Sequence, residues 1–179
     1  IQFKNLDGNI VDLSGAWQYS GAFHGGEIYE TQSLVFSIEI SPGRKIFKTL
    51  TLSPGSYLID VAIDMSGVRD LVFAGTYSLN WIGGLTTTEK NKTDDYVYFK
   101  SYVYQGGELE DVKLKKDESE TMSFNGATDW VAIRTKYFIC AFIPSSPNIV
   151  SSASIGGTFQ ERESYDMSLS LSTSDIANV

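Results

Sequence analysis

The sequence predicts an all-β fold made of antiparallel strands, and three observations lead to this prediction. Short runs of alternating apolar and polar residues recur along all 179 residues and are separated by turn residues, as in antiparallel sheets with one buried face. Ten Tyr and ten Phe favour strands over helices. Helical periodicity is nearly absent. About a dozen strands with no repeat period predict one domain over residues 1–179, a large sandwich of two antiparallel sheets.

Two successive hairpins are predicted in the first half of the chain. Residues Leu34–Ile40 alternate apolar and polar side chains, and further strands are predicted at Lys45–Leu52 and from Tyr57 to Ile63. The intervening turns are Ser41-Pro42-Gly43 and Ser53-Pro54-Gly55. Proline presets φ near −65° and the glycine after it accepts a positive φ, so both segments are suited to tight turns.

Four further features complete the strand prediction. A strand is predicted at Tyr77–Trp81, and the run Tyr165–Leu171 alternates in the manner of a half-buried strand. The acidic stretch 108–120 predicts a solvated hairpin or loop. Glycine pairs beginning at Gly25, Gly83, Gly106 and Gly156 predict turns.

The run 96–104 predicts a long strand with a row of tyrosines on one face. Both faces of this strand must be largely covered, because the opposite face carries Val97, Phe99 and Val103. The tyrosine row lines a possible shallow groove, although cross-strand packing is the simpler interpretation. The row consists of Tyr96, Tyr98, Tyr102 and Tyr104.

Composition argues against several classes of function. The formal net charge of −8 opposes binding to phosphate backbones and anionic lipid headgroups, so nucleic acid is not an expected partner. A Ser or Cys triad needs a histidine base, and His24 is the only histidine in the chain. One histidine and the single Cys140 cannot build a zinc site. We therefore expect no enzyme, no metal and no cofactor.

The segment 128–144 carries the most specific pattern in the chain. It begins a strand with Trp130-Val131, places the aromatic pair Tyr137-Phe138 seven residues later, and ends an apolar strand at Ile143-Pro144. This pattern resembles the periplasmic-domain signature of the YidC-type membrane protein insertases (the YidC/Oxa/Alb family), particularly those of the Bacteroidetes type. The segments Ile46–Leu52 and Tyr57–Val61 are similar to paired central strands of the same family.

This resemblance implies a fold and a location. The implied fold is a β-supersandwich like that of galactose mutarotase, and the chain would be a soluble fragment of it, truncated at both ends. The parent protein would be a multi-pass protein of the bacterial inner membrane with this domain on its periplasmic face. The signature residues Trp130, Tyr137, Phe138 and Pro144 are expected to be structural markers, with the aromatic side chains buried between sheets.

The resemblance also implies a role. The expected function is that of a non-catalytic accessory domain that assists insertion and folding of inner-membrane proteins. Its expected partners are Sec translocon components such as SecD and SecF, or nascent membrane proteins. The alternative is a carbohydrate-binding or sugar-converting module, because mutarotases share the implied fold and exposed aromatic rings such as Trp17 or Trp81 could stack on sugars.

Overall fold

A computed structural model describes residues 1–21, 27–86, 97–174 and 176–179. Strands dominate these residues, joined by short 3₁₀ helices at Ser66–Leu71 and Pro147–Ile149. The strand pairs given by the register are antiparallel, so the predicted all-β, antiparallel fold is confirmed. The strands are β1 (Gln2–Asn5), β2 (Ile10–Asp12), β3 (Gln18–Ser20), β4 (Gln32–Ser41), β5 (Arg44–Leu52), β6 (Ile59–Asp64), β7 (Val72–Trp81), β8 (Lys100–Gln105), β9 (Glu108–Val112), β10 (Glu118–Asn125), β11 (Trp130–Arg134), β12 (Ile139–Phe142), β13 (Val150–Phe159), β14 (Glu163–Ser172) and β15 (Ala177–Asn178).

The described chain forms two compact units. Unit 1 comprises Ile1–Tyr77 and Ser172–Val179, and unit 2 comprises Ser78–Leu171. The boundaries fall within β7 and near the end of β14. A single domain over residues 1–179 therefore stays a prediction.

Unit 1 contains a five-stranded sheet in the order β15-β6-β5-β4-β3. The two predicted hairpins are its centre, and Gly43 and Gly55 adopt positive φ values of 74° and 71° in the turns, as expected. The third predicted strand begins later than expected, at Ile59, so Tyr57 lies in the turn and is fully exposed. The core of the unit includes Phe3, Leu13, Ile46, Ile63, Met65, Val68 and Val72.

Unit 2 is built from two layers of strands. One sheet has the order β12-β11-β8-β9, and the other contains β10, β13, β14 and the end of β7. Strand β13 contacts β8, β9 and β11 of the first sheet, so the two layers pack on each other. Their shared core includes Phe99, Val103, Val112, Leu114, Val131, Ile133, Ile155, Tyr165, Met167 and Leu169.

Strand β14 supplies one complete row of that core. The predicted alternation over Tyr165–Leu171 is confirmed, because Tyr165, Met167, Leu169 and Leu171 are all buried. The ring of Tyr165 packs on Phe99 with 4.8 Å between ring centroids. Burial of two aromatic rings against each other adds a directional contact to the hydrophobic packing of the layers.

The glycine pair at Gly156-Gly157 is not a turn, and that prediction is wrong. Both residues lie inside β13, where they face Glu118–Asn125 on one side and β14 on the other. A Cβ atom at Gly157 would lie 2.9 Å from the Cα atom of Tyr165 and would overlap the carbonyl oxygen of Ser164. Close approach of neighbouring backbones therefore explains this glycine. Gly83 and Gly106 do lie in turns, with φ values of 88° and 61°, and the pair at Gly25 lies outside the described residues.

Gly157→Ala should destabilise the protein by about 1–3 kcal/mol, because the added methyl group forces β13 and β14 apart. Urea denaturation measures the free energy of unfolding of the variant. The matched control is Gly15→Ala, since no heavy atom lies within 4 Å of the Cβ position there. An equal loss in both variants, or no loss at Gly157, would contradict the steric explanation.

Candidate functional site

The four-stranded sheet of unit 2 has two chemically different faces. On the inner face, Val103, Val131 and Ile133 are at most 1% exposed and belong to the core between the layers. Successive side chains of a strand point to opposite faces, so Tyr102 and Tyr104 of β8 share the outer face with Trp130 of β11. These three large side chains are half-buried, which leaves part of each ring accessible.

Aromatic rings form the centre of this outer face. Trp130 lies directly opposite Tyr104 in the strand register, and their rings stack with 5.7 Å between centroids and 15° between planes. Leu109 of β9 lies opposite Tyr104 on its other side and is exposed. Cross-strand pairs of this kind stabilise the sheet and present a continuous apolar strip to solvent. We call Tyr98, Tyr102, Tyr104 and Trp130 the aromatic face.

Charged side chains flank the aromatic face at its other end. Lys100 donates to Asp111 on the neighbouring strand, with 2.7 Å between Nζ and Oδ2. Arg134 lies opposite Lys100 in the register, and its guanidinium carbon is 5.6 Å from the centroid of the Tyr98 ring. Tyr98 thereby lies beside the outer face through a cation–π contact. The surface is therefore apolar at one end and carries two cations and the Asp111 carboxylate at the other.

The predicted tyrosine row is only partly correct. Tyr102 and Tyr104 share one face of β8 as expected, but the strand begins at Lys100, and Val97 and Tyr98 are helical. The prediction that Tyr98 belongs to the strand is wrong, since the chain turns before Phe99 to bury that ring in the core. Tyr96 lies outside the described residues. No local pattern indicates this turn, because the period-two alternation continues through it.

The family-signature residues occupy different environments. Pro144 is buried and Trp130 is half-buried, but Tyr137 and Phe138 are 62% and 60% exposed. The expected burial of this aromatic pair between sheets is wrong. Both residues lie between β11 and β12 rather than in a strand.

A tight turn between β11 and β12 explains their exposure. The backbone N–H of Thr135 donates to the carbonyl oxygen of Phe138 at 2.8 Å. The backbone N–H of Phe138 donates in return to Oγ1 of Thr135 at 3.1 Å. The turn therefore ends the hairpin at Thr135–Phe138 and places both aromatic side chains at its end.

The described residues contain neither a cluster suited to a metal ion nor a reactive thiol. Within residues 1–21, 27–86, 97–174 and 176–179, no cluster of three or more His, Cys, Asp or Glu residues could hold a metal ion. Cys140 lies on the inner side of the edge strand β12, and burial raises the pKa of its thiol. Its thiol is therefore protonated at neutral pH and is a weak nucleophile. His24 lies outside the described residues.

Comparison with known proteins identifies the family. The sequence profile of the family described as "YidC periplasmic domain" matches residues 7–177. The chain belongs to this family. A membrane protein insertase YidC of Prosthecochloris aestuarii is 38% identical over 117 residues, which are 64% of this chain and 20% of that protein. One from Chlorobium phaeovibrioides is 31% identical over 151 residues, which are 82% of this chain and 26% of that protein.

The YidC periplasmic domain family was the one that the segment 128–144 resembled, so that recognition is confirmed. The chain spans about a fifth to a quarter of the length of the curated relatives it matches. In the part of the chain that the structure describes, no helix has the length and apolar character needed to cross a bilayer. The relatives compared are all named as insertases, and none gives support to a sugar-binding or sugar-converting module.

A buried carboxyl group lies at the start of β14, on the same strand face as Tyr165. Glu163 is 7% exposed, and no described residue hydrogen-bonds its Oε2 atom. Burial raises the pKa of this carboxyl to about 7, although the positive charge of Lys113 acts in the opposite direction. The folded state therefore favours the protonated form of Glu163 more than the unfolded state does.

Stability should fall as the pH rises through the titration of Glu163. The pKa of this carboxyl rises from 4.5 to about 7 on folding. The contribution of Glu163 to the free energy of unfolding is therefore complete below about pH 4.5 and is lost progressively up to about pH 7. Glu163→Gln should accordingly gain up to about 3 kcal/mol relative to the unmodified chain between about pH 4.5 and about pH 8. Urea denaturation of both proteins across this range measures the difference, and a difference that is constant with pH would refute it.

Proposed function

We propose that the chain is a periplasmic accessory domain of a bacterial inner-membrane insertase, and that it assists insertion and folding of membrane proteins by binding them. Membership of the YidC periplasmic domain family supports this assignment. The relatives named as membrane protein insertases are about four to five times longer than the matched region. The domain would thus contribute a binding surface to a larger protein.

The observation that carries this proposal is the aromatic face on the outer side of the sheet. Its rings stay partly accessible although they lie on a strand next to a fully buried core. Exposed aromatic residues grouped on a rigid sheet are typical of binding surfaces rather than of solvent-facing sheet surfaces. Tyrosine and tryptophan offer large contact areas at low entropic cost, because each side chain has few rotatable bonds.

The chemistry of the face fits an apolar segment of a nascent membrane protein. Leu109 extends the stacked pair Tyr104 and Trp130 at one edge of the sheet, and Ile143 follows β12 at the other edge and is exposed. A strip of apolar side chains crosses the sheet in this way. The rings of the tyrosines can contact an apolar segment, and their hydroxyl groups can hydrogen-bond to water when no segment is bound.

A binding role without catalysis agrees with the side chains available. Acyl transfer would need an activated nucleophile beside a base, whereas the Cys140 thiol has a raised pKa and lies in an apolar strand. The aromatic face consists of three tyrosines and a tryptophan, and Lys100 and Arg134 flank it. Such groups recognise and orient a segment, and they do not by themselves supply an acid–base pair for a mutarotase-like reaction.

Site-specific photocrosslinking in the full-length insertase tests the proposal. A photoreactive residue replaces Tyr98 or Tyr102, and adducts to a nascent inner-membrane protein are compared with adducts to translocon subunits such as SecD and SecF. We expect nascent-chain adducts at both positions. Adducts to translocon subunits alone would assign the aromatic face to docking instead, and no adduct of either kind would refute its role in binding.

Ser123 provides a matched control position. It is exposed on β10, an edge strand of the other sheet of unit 2, and therefore lies away from the aromatic face. The same photoreactive residue at Ser123 should give at most about one tenth of the adduct formed at Tyr102, because crosslinking requires van der Waals proximity. Equal adduct formation at both positions would show that crosslinking reports random encounter.

A further inference from the structure

The hairpin that joins β11 to β12 ends in consecutive exposed apolar side chains. Tyr137 and Phe138 lie in the turn, and Ile139, which begins β12, is 64% exposed. Single exposed apolar residues are ordinary on protein surfaces, but three in succession at the end of a hairpin are not. We call residues 134–139 the hairpin tip.

Two cations accompany these apolar side chains. Arg134 is exposed at the end of β11, and Nζ of Lys136 lies 5.1 Å from the centroid of the Tyr137 ring. The sequence from residue 130 to residue 160 contains both of these cations and no Asp or Glu, in a chain whose net charge is −8. The hairpin tip is thus locally basic even though the whole chain is acidic.

We propose that the hairpin tip binds the surface of a lipid bilayer that contains anionic lipids. Tyr137, Phe138 and Ile139 enter the interfacial region, where aromatic side chains are favoured. Arg134 and Lys136 remain at the level of the phosphate groups, since long cationic side chains extend toward polar headgroups. The net negative charge opposes adsorption of the whole chain, so contact is confined to this one locally basic hairpin.

A lipid surface fits these observations better than a protein partner does. A protein interface of moderate stability needs a broad, complementary surface, whereas this tip is a narrow turn with its apolar residues at the end. Aromatic and aliphatic side chains bordered by Arg and Lys match the layered polarity of a bilayer interface. The family relatives are named as membrane protein insertases, which agrees with a location near a membrane.

A second turn in the chain has exposed apolar residues but no flanking cations. Tyr57, Leu58 and Ile59 form another exposed apolar triplet, after the turn that joins β5 to β6. Residues 53–60 contain no Lys or Arg, and Asp60 follows the triplet directly. This triplet has similar apolar content without the flanking cations, and an anionic surface would repel its carboxylate. It therefore supplies a matched control within the same protein.

Vesicle flotation of the 179-residue chain tests the proposal. The vesicles contain phosphatidylethanolamine with phosphatidylglycerol, or phosphatidylcholine alone, each at low and high salt. We expect binding to the anionic vesicles that weakens by about tenfold or more at high salt, because salt screens the cation–headgroup attraction. No binding to anionic vesicles at low salt would overturn the proposal and would leave a protein partner as the explanation of the exposed tip.

Variants assign the binding to the hairpin tip. The double variant Tyr137→Ser with Phe138→Ser should bind at least about tenfold more weakly, since two interfacial anchors are lost. The control double variant Tyr57→Ser with Leu58→Ser should bind within about twofold of the unchanged chain. Thermal unfolding confirms that both variants fold. Equal loss in the two double variants, or no loss at the tip, would overturn the assignment.

One conservative variant distinguishes insertion from adsorption by charge alone. Phe138→Trp should bind anionic vesicles as the unchanged chain does, because tryptophan is favoured at the interface. Its fluorescence, after subtraction of the spectrum of the unchanged chain, should shift to shorter wavelength on binding. Binding without such a shift would show that the aromatic side chain stays in water, and the proposed insertion would be wrong. These outcomes are independent of the crosslinking result at the aromatic face.

Discussion

Tyr165 is completely buried, yet its hydroxyl oxygen accepts a hydrogen bond from the backbone N–H of Leu114 at 3.0 Å. This one contact satisfies a polar atom inside the core and fixes the chain after β9 against β14. A buried N–H without a partner would cost about 1–3 kcal/mol. Because the ring of the same tyrosine packs on Phe99, the segment that leads into β8 is fixed by the same residue. Tyr165 thus joins three segments of unit 2, namely β14, the chain after β9 and the chain before β8.

Once β8 and β11 bury their inner side chains against the other layer, the alternation of the strands determines the opposite face. Val103 and Val131 point into the core, so Tyr104 and Trp130 must point outward. The placement of Tyr102, Tyr104 and Trp130 on the outer face is thus a geometric consequence of the core. Side chains that a packed sheet already holds in place lose less conformational freedom on binding.

Sequence patterns correctly predicted the strands and turns that interactions within a few residues determine. The row along β14 and the two Pro-Gly hairpins were predicted correctly, since period-two alternation and turn chemistry act within a few residues. Tyr98 was misplaced because the chain turns to bury Phe99, a contact with distant Tyr165. Gly156-Gly157 was misassigned for a similar reason, because the backbones that exclude a Cβ atom belong to other strands. Neither of these long-range contacts can be predicted from the pattern of neighbouring residues in the sequence.

The aromatic pair Tyr137-Phe138 shows why a family signature and a structural role are separate conclusions. The segment identified the family correctly, but the same residues do not lie in the core. Side chains that stabilise a fold by hydrophobic packing are buried, whereas Tyr137 and Phe138 are mostly exposed. The hydrogen bonds of the turn join the hydroxyl and backbone of Thr135 to backbone atoms of Phe138, so turn formation does not explain the aromatic rings. Large apolar side chains that neither fill the core nor form the turn, and that lie beside Arg134 and Lys136, are explained by a contact outside the protein.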